Sequence, residues 1–170
     1  MTETTERADR ILKNKEYRSM LNRIQELEKN RKFCRHTYEH FFDTARIMYI
    51  IALEEHLNIP KDMIYAAALF HDIGRAQEYQ NGVPHEKASA DIARHLLPQC
   101  GYTAEETETV ISAVLCHRNH TNSVQNTKPD NHILGALLYR ADKLSRPCFL
   151  CSACDECYWS EQKKNHAITY

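Results

Sequence analysis

Ten histidines stand in a chain of 170 residues, and histidine is the commonest metal-ligating side chain. The adjacent pair His71-Asp72 is the natural anchor. Two neighbouring ligands can serve one metal, and a carboxylate can also bridge two. Four further residues share a pattern with that pair. His40 stands in line with Thr44, Ile47 and Ile51, the i, i+4, i+7, i+11 stripe of a helix face. His85 is in line with Ser89, Ile92 and Leu96, His117 follows Val110, Ala113 and Val114, and Asp142 follows Leu134 and Leu138. Each is the inward-facing polar member of an otherwise apolar stripe. A buried carboxylate is costly unless it is paired or bound to metal. Six imidazole and carboxylate groups that can converge suit Fe, Mn, Ni or Zn ions, and with them a hydrolytic water.

The elements that must position these groups read as helices. Glycine and proline are scarce, with four and five, and strand-like alternation is hard to find. Apolar spacing predicts one amphipathic helix over 5–29 and a second over 33–57, which ends at Asn58-Ile59-Pro60. A short apolar helix covers 61–70, with Gly74 placed to stop it. Residues 76–83 read as a polar loop around Asn81-Gly82, and Pro84 opens a helix to about Leu97. Thr103-Ala104-Glu105-Glu106 is a capping-box pattern for a helix to about Cys116. Residues 118–130 read as polar and irregular, with Asp130 or Asn131 capping a last helix to about Ser145. The expectation is one all-α domain of six or seven helices. An N-terminal amphipathic helix (1–32) packs on a metal-binding core (33–146), and a cysteine-rich tail (147–170) completes it.

Composition narrows the function. Apolar residues make up 42%, charged residues 26%, and the formal net charge is -1, as in ordinary soluble globular proteins. That balance gives no electrostatic case for nucleic-acid or membrane-surface partners, both of which want a basic excess. Residues 1–30 lack an apolar signal-peptide segment, so the expected location is the cytoplasm. Seven cysteines in that compartment point to metal binding or burial, not to a disulfide framework.

The local wording around the six residues resembles the HD superfamily of metal-dependent phosphohydrolases. His40-Phe-Phe-Asp-Thr-Ala resembles the family's first histidine and its apolar-Ala pair. Ala68-Leu69-Phe70-His71-Asp72-Ile73-Gly74-Arg75 resembles the central motif, and Arg140-Ala141-Asp142-Lys143-Leu144 the closing aspartate. The match covers about residues 33–146, and His85 and His117 are similar to the extra ligands of binuclear members. The resemblance implies that His40, His71, Asp72 and Asp142 hold one metal. Asp72 would bridge to a second metal on His85 and His117, and a metal-activated hydroxide would attack phosphorus. Asp72, Arg75 and Lys143 are the expected catalytic residues. Arg75 and Lys143 are phosphate clamps in this reading, and Lys87 and Arg118 are weaker candidates. Glu86 is a possible proton-transfer partner. His36 backs the site, and His120 is a possible seventh partner. The expected substrate is a phosphate ester or anhydride of a small nucleotide; the residues say nothing of oligomeric state. A catalytically idle domain that senses a nucleotide, metal or redox state fits the same pattern and stays open.

The tail carries its own motif. Cys148, Cys151, Cys154 and Cys157 follow one another at C-x2-C spacing, and Cys34 lies just upstream of the first metal helix. Such thiolates can hold a structural zinc or an iron–sulfur cluster, and reduced structural thiols are the alternative.

Overall fold

The computed structural model describes residues 5–117 and 129–170. Among them every regular element is helical: α1 (Glu6–Lys13), α2 (Lys15–Leu27), α3 (Tyr38–Glu54), α4 (Lys61–Phe70), α5 (Arg75–Asn81), α6 (His85–Leu96), α7 (Ala104–Cys116) and α8 (Pro129–Leu144), with short 3-10 turns at 98–100, 148–150 and 161–163. The all-α expectation is therefore met. No helix among the described residues is long and apolar enough to cross a membrane.

The architecture is organised round α4. Met63, Ile64 and all of Ala66–Phe70 are buried. A helix apolar on every side is stable only when surrounded, and α1, α3, α6, α7 and α8 all pack on this one. Its run of three alanines lets those neighbours approach closely. The end of α4 is thus fixed deep in the protein, and that end carries His71 and Asp72. The N-terminal helices pack against α4 and α5. Fully buried Tyr17 donates its hydroxyl to the Leu69 carbonyl at 2.7 Å and sets its ring edge-on to Phe70, with centroids 5.5 Å apart. Arg7 ties α1 to the core by ion pairs to Asp62 (3.1 Å) and Glu106 (2.7 Å).

Several sequence-based boundaries move. The helix expected over 5–29 is two helices, because Asn14 adopts an extended ψ of 127° and caps the second one. Its Oδ1 accepts from the Glu16 and Tyr17 amides at 2.9 and 3.2 Å. Asparagine offers the backbone this alternative wherever it falls inside a helical pattern. The helix expected from residue 33 begins only at Tyr38. The supposed loop over 76–83 is largely the helix α5, which Gly82 ends in the left-handed conformation at φ 70°. Gly74 does not act as a left-handed stop, since its φ is −80°. It is a close-packing position: a Cβ there would lie 2.5 Å from both His85 O and Ser89 N. The capping box at Thr103 and Glu106 forms as expected. Arg118 and His120, and most of the stretch expected to be irregular, lie outside the described residues.

Candidate metal centre

Five helices deliver the six residues to one place. His40 comes from α3, His71 and Asp72 from the end of α4, His85 from the first turn of α6, His117 from just past α7, and Asp142 from the last turn of α8. All but His40 are buried, and the His40 side chain is only 13% exposed. One ligand atom from each of His40, His71, Asp72 and Asp142 falls within a single 4.8 Å group, and a second such group joins Asp72, His85 and His117.

Asp72 is common to both groups, and its two oxygens divide between them. Oδ2 lies 3.1 Å from His71 Nε2 and 3.7 Å from His40 Nε2. Oδ1 lies 3.1 Å from His85 Nε2 and 3.8 Å from His117 Nε2. Asp142 Oδ1 completes the first group, 3.6 Å from His40 Nε2 and 3.9 Å from His71 Nε2. Ligands bound about 2.0–2.2 Å from one ion stand roughly 3–3.5 Å from each other, so both groups need only small adjustment to close on a cation.

The tautomers of the four histidines follow from their partners. His71 Nδ1 faces the Ala68 carbonyl at 2.7 Å, and His117 Nδ1 faces the Val114 carbonyl at 2.5 Å. Both carbonyls belong to the last turn of a helix, where they have no intrahelical donor. His85 Nδ1 faces Glu78 Oε1 at 3.0 Å. His40 Nδ1 is 3.2 Å from Ser145 Oγ, whose own hydrogen goes to the Asp142 carbonyl at 2.9 Å. Every one of these partners must accept, so every Nδ1 carries the proton and every Nε2 of a neutral ring presents a lone pair. Yet His40 Nε2 sits 3.1 Å from His71 Nε2, and His85 Nε2 sits 3.3 Å from His117 Nε2. Lone pairs facing each other at such distances repel unless a cation lies between them. Imidazoles anchored through one nitrogen and convergent through the other are the arrangement of metal ligands, and these residues fit divalent ions.

Electrostatics agrees with that donor set. Burial alone would raise the Asp72 carboxyl, but the His71 ring beside it and the charges of His36 and Arg75 outweigh burial and hold the group well below the usual carboxylate range. Asp142 behaves alike: burial opposes, while His71 and Lys143 lower it. Burial pushes His40 and His85 down, toward the neutral form a metal needs.

A tier of residues holds the centre from behind. His36 lies 3.2 Å from Asp72 Oδ2 through Nε2 and 2.5 Å from Glu28 Oε1 through Nδ1. With a carboxylate at each nitrogen it is an imidazolium. Burial would lower its pKa, but Asp72 and Glu28 raise it. Held between the two carboxylates, it orients Asp72 from behind. Arg75 donates from Nε to Asp72 Oδ1 and from Nη1 to Glu78 Oε2, both at 2.9 Å. Lys143 Nζ makes a short bond to Asp142 Oδ2. Glu86 Oε2 is 3.5 Å from His85 Nδ1, and Lys87 is exposed on α6. Sequence reasoning missed Glu78, hidden in the presumed loop, and Ser145, Glu28 and Arg146. Glu78 lies on α5 and His85 opens α6, and it is the turn at 82–84 between the two helices that brings the side chains together.

The centre opens into a cavity of about 290 Å³. Asp72, His117 and Asp142 form its floor, and Arg75, Lys143 and Trp159 stand in its walls. The five thiols proposed as a second site line a different cavity of about 420 Å³, where Cys34 meets Cys148, Cys151, Cys154 and Cys157. All seven cysteines are free, and no three of their sulfurs gather within 4.8 Å as the histidine and aspartate atoms do.

Comparison with known proteins accords with this geometry. The family model of the HD domain matches residues 37–146. An uncharacterized protein of Clostridium beijerinckii is 44% identical over 94% of this chain and 96% of its own length. Ribonuclease Y of Pelobacter propionicus is 27% identical over 72% of this chain, which spans only 20% of that protein. A bifunctional uridylyltransferase/uridylyl-removing enzyme of Gluconobacter oxydans is 43% identical over 54 residues, 5% of its length. Among solved structures, a predicted HD superfamily hydrolase from an uncultured Thermotogales bacterium superposes with a TM-score of 0.59 at 27% identity, covering 86% of this chain and 80% of the other. The chain belongs to the HD-domain family.

Proposed function

We propose that the protein is a metal-dependent phosphohydrolase that cleaves a phosphate ester or anhydride of a small nucleotide-type substrate. The observation that carries this reading is the set of four imidazoles, each fixed through Nδ1 and each aiming Nε2 at one of the two oxygens of Asp72. Two divalent ions held there would make water nucleophilic at neutral pH and place positive charge against the phosphoryl oxygens. The chain's own part is to position and to neutralise. Asp72 spans both groups, and His36 and Arg75 keep it ionised and oriented. His40, His71 and Asp142 hold the first group, His85 and His117 the second. Arg75 and Lys143 reach the cavity wall already bonded to Asp72 and Asp142, so they can swing a donor toward a phosphoryl oxygen without leaving a carboxylate buried alone. The cavity admits a small molecule, and two relatives carry names for nucleotide chemistry, a ribonuclease and a uridylyl-removing enzyme. Both features support a nucleotide-type substrate.

The test compares wild type with Asp72→Ala on a panel of nucleoside phosphates, cyclic dinucleotides and dinucleoside polyphosphates, with manganese, iron, nickel or zinc supplied in turn. The expected outcome is release of phosphate or nucleotide by wild type alone, and loss of bound metal in the variant. Should wild type be no faster than Asp72→Ala under every metal, the protein is a binding domain that senses such a ligand without turning it over.

A further inference from the structure

The cavity above the metal centre has a second chemistry that the six histidine and aspartate residues do not explain. The end of α8 and the tail bring three cations round one indole. The Arg146 guanidinium lies 3.8 Å from the Trp159 ring centroid, Lys163 Nζ 5.4 Å from it and Lys143 Nζ 5.7 Å. An aromatic face offsets only part of the repulsion among three like charges, and carboxylates do not supply the rest. Lys143 is taken by Asp142. Arg146 reaches that same carboxylate only at 3.8 Å through Nη2. Its Nη1 is buried and makes no hydrogen bond, although the side chain is just 13% exposed. Among the described residues no carboxylate lies within ion-pairing distance of Lys163, and its side chain lines the cavity. A buried guanidinium donor left without an acceptor is costly and rare.

The arrangement is also held rigidly. Asn165 Nδ2 donates to the carbonyls of Lys143, Leu144 and Arg146 at 2.9, 3.2 and 2.8 Å, which fastens the tail to the open carbonyl end of α8. The Tyr158 ring meets Phe33 edge-on at 5.9 Å. One face of Trp159 is covered by Arg146, so the indole braces the guanidinium and is not free on that face to stack a base. Guanidinium forks match the oxygens of a phosphoryl group. Ions held by the two groups that share Asp72 would take the scissile group, while Arg146 stands one helical turn beyond Asp142 and Lys163 enters from the tail.

We propose that Arg146 and Lys163, braced by Trp159, form a subsite for a second phosphoryl group, so that the protein selects small phosphate esters or anhydrides carrying at least two. The identity of the scissile group rests on the hydrolase reading above; the subsite itself is tested by binding. The full chain, loaded with manganese and freed of excess metal, is titrated calorimetrically with methylenediphosphonate and with methylphosphonate, neither of which it can hydrolyse. Two ions will themselves favour the two-headed ligand, so the decision lies in the variants. Arg146→Gln should reduce the preference for methylenediphosphonate about tenfold, the worth of one charge-assisted hydrogen bond. Lys163→Gln, on the surface and unable to disturb the core, should reduce it about threefold. A preference unchanged in Lys163→Gln and in folded Arg146→Gln overturns the proposal, as does a wild type with no preference. Loss of preference in the variants, in a protein that turns over no nucleotide, upholds the subsite and removes the hydrolase reading alone.

Discussion

Replacing Gly74 by alanine should loosen the half of the centre that holds His85. The glycine amide donates to Ser89 Oγ at 2.9 Å, and the backbones of the α4–α5 junction and of α6 touch there. A methyl group would sit 2.5 Å from His85 O, 2.5 Å from Ser89 N and 2.7 Å from Ala88 Cβ. Ordinary contact needs roughly 3.5 Å, so the first turn of α6 must retreat by about 1 Å. Two of the three obstacles are backbone atoms, which no rotamer change can relieve. Overpacking of this kind costs about 1–3 kcal/mol, and weakening the Ser89 bond adds about 1 kcal/mol. A loss of about 3 kcal/mol lowers Tm by roughly 6–12 °C in a domain of this size. Because φ at Gly74 is −80°, the backbone is not strained, and the whole effect comes from space. His85 rides on the displaced turn, only 3.1 Å from Asp72 Oδ1 and 3.3 Å from His117 Nε2. If the protein is the hydrolase proposed above, a displacement of about 1 Å there should also cut its activity about a hundredfold, and it should weaken retention of added manganese at the Asp72, His85, His117 group. Thermal melting and metal analysis of the variant are the assays. A Gly74→Ala protein that melts like wild type and keeps its full manganese content would refute the packing account.

Two further outcomes follow from the buried network. Burial would raise the pKa of Glu28, but the bonds from His36 and Tyr79 lower it from about 4.5 to about 2, a contribution on the order of 3 kcal/mol. A depressed carboxyl stabilises above its unfolded pKa and loses that contribution as pH falls through the folded one. Glu28→Gln should therefore be less stable than wild type at pH 6, and the gap in urea midpoints should close between about pH 4.5 and 2; a gap independent of pH would count against the Glu28–His36–Asp72 chain. Tyr17→Phe leaves the buried Leu69 carbonyl without its 2.7 Å donor and should cost about 1–3 kcal/mol, read from denaturant unfolding; a neutral result would mean that α2 is not pinned to the end of α4 in this way.

The sequence by itself determined the helical class, the apolar helix that ends in His71-Asp72, and the identity of the six convergent residues. Helical period and the cost of burying a charge are both local statements, and each stripe carried its polar member openly. Where each helix begins was less legible, because Asn14 and the 75–81 segment are decided by capping and by contact with neighbouring helices. Only the tertiary structure showed how Asp72 divides its oxygens between two groups, since 3.1 Å separations depend on five helices meeting at once. It also disclosed Glu78, Ser145 and Glu28 as the partners that fix tautomer and charge. Spacing along the chain carries no sign of such contacts: Ser145 and His40 stand 105 residues apart. The tail is the clearest case. Its cysteines drew attention in the sequence, but it is Trp159, Lys163 and Asn165 that the fold brings against Arg146 and the mouth of the metal centre. Pairing between distant charges is a property of packing, and no local period encodes it.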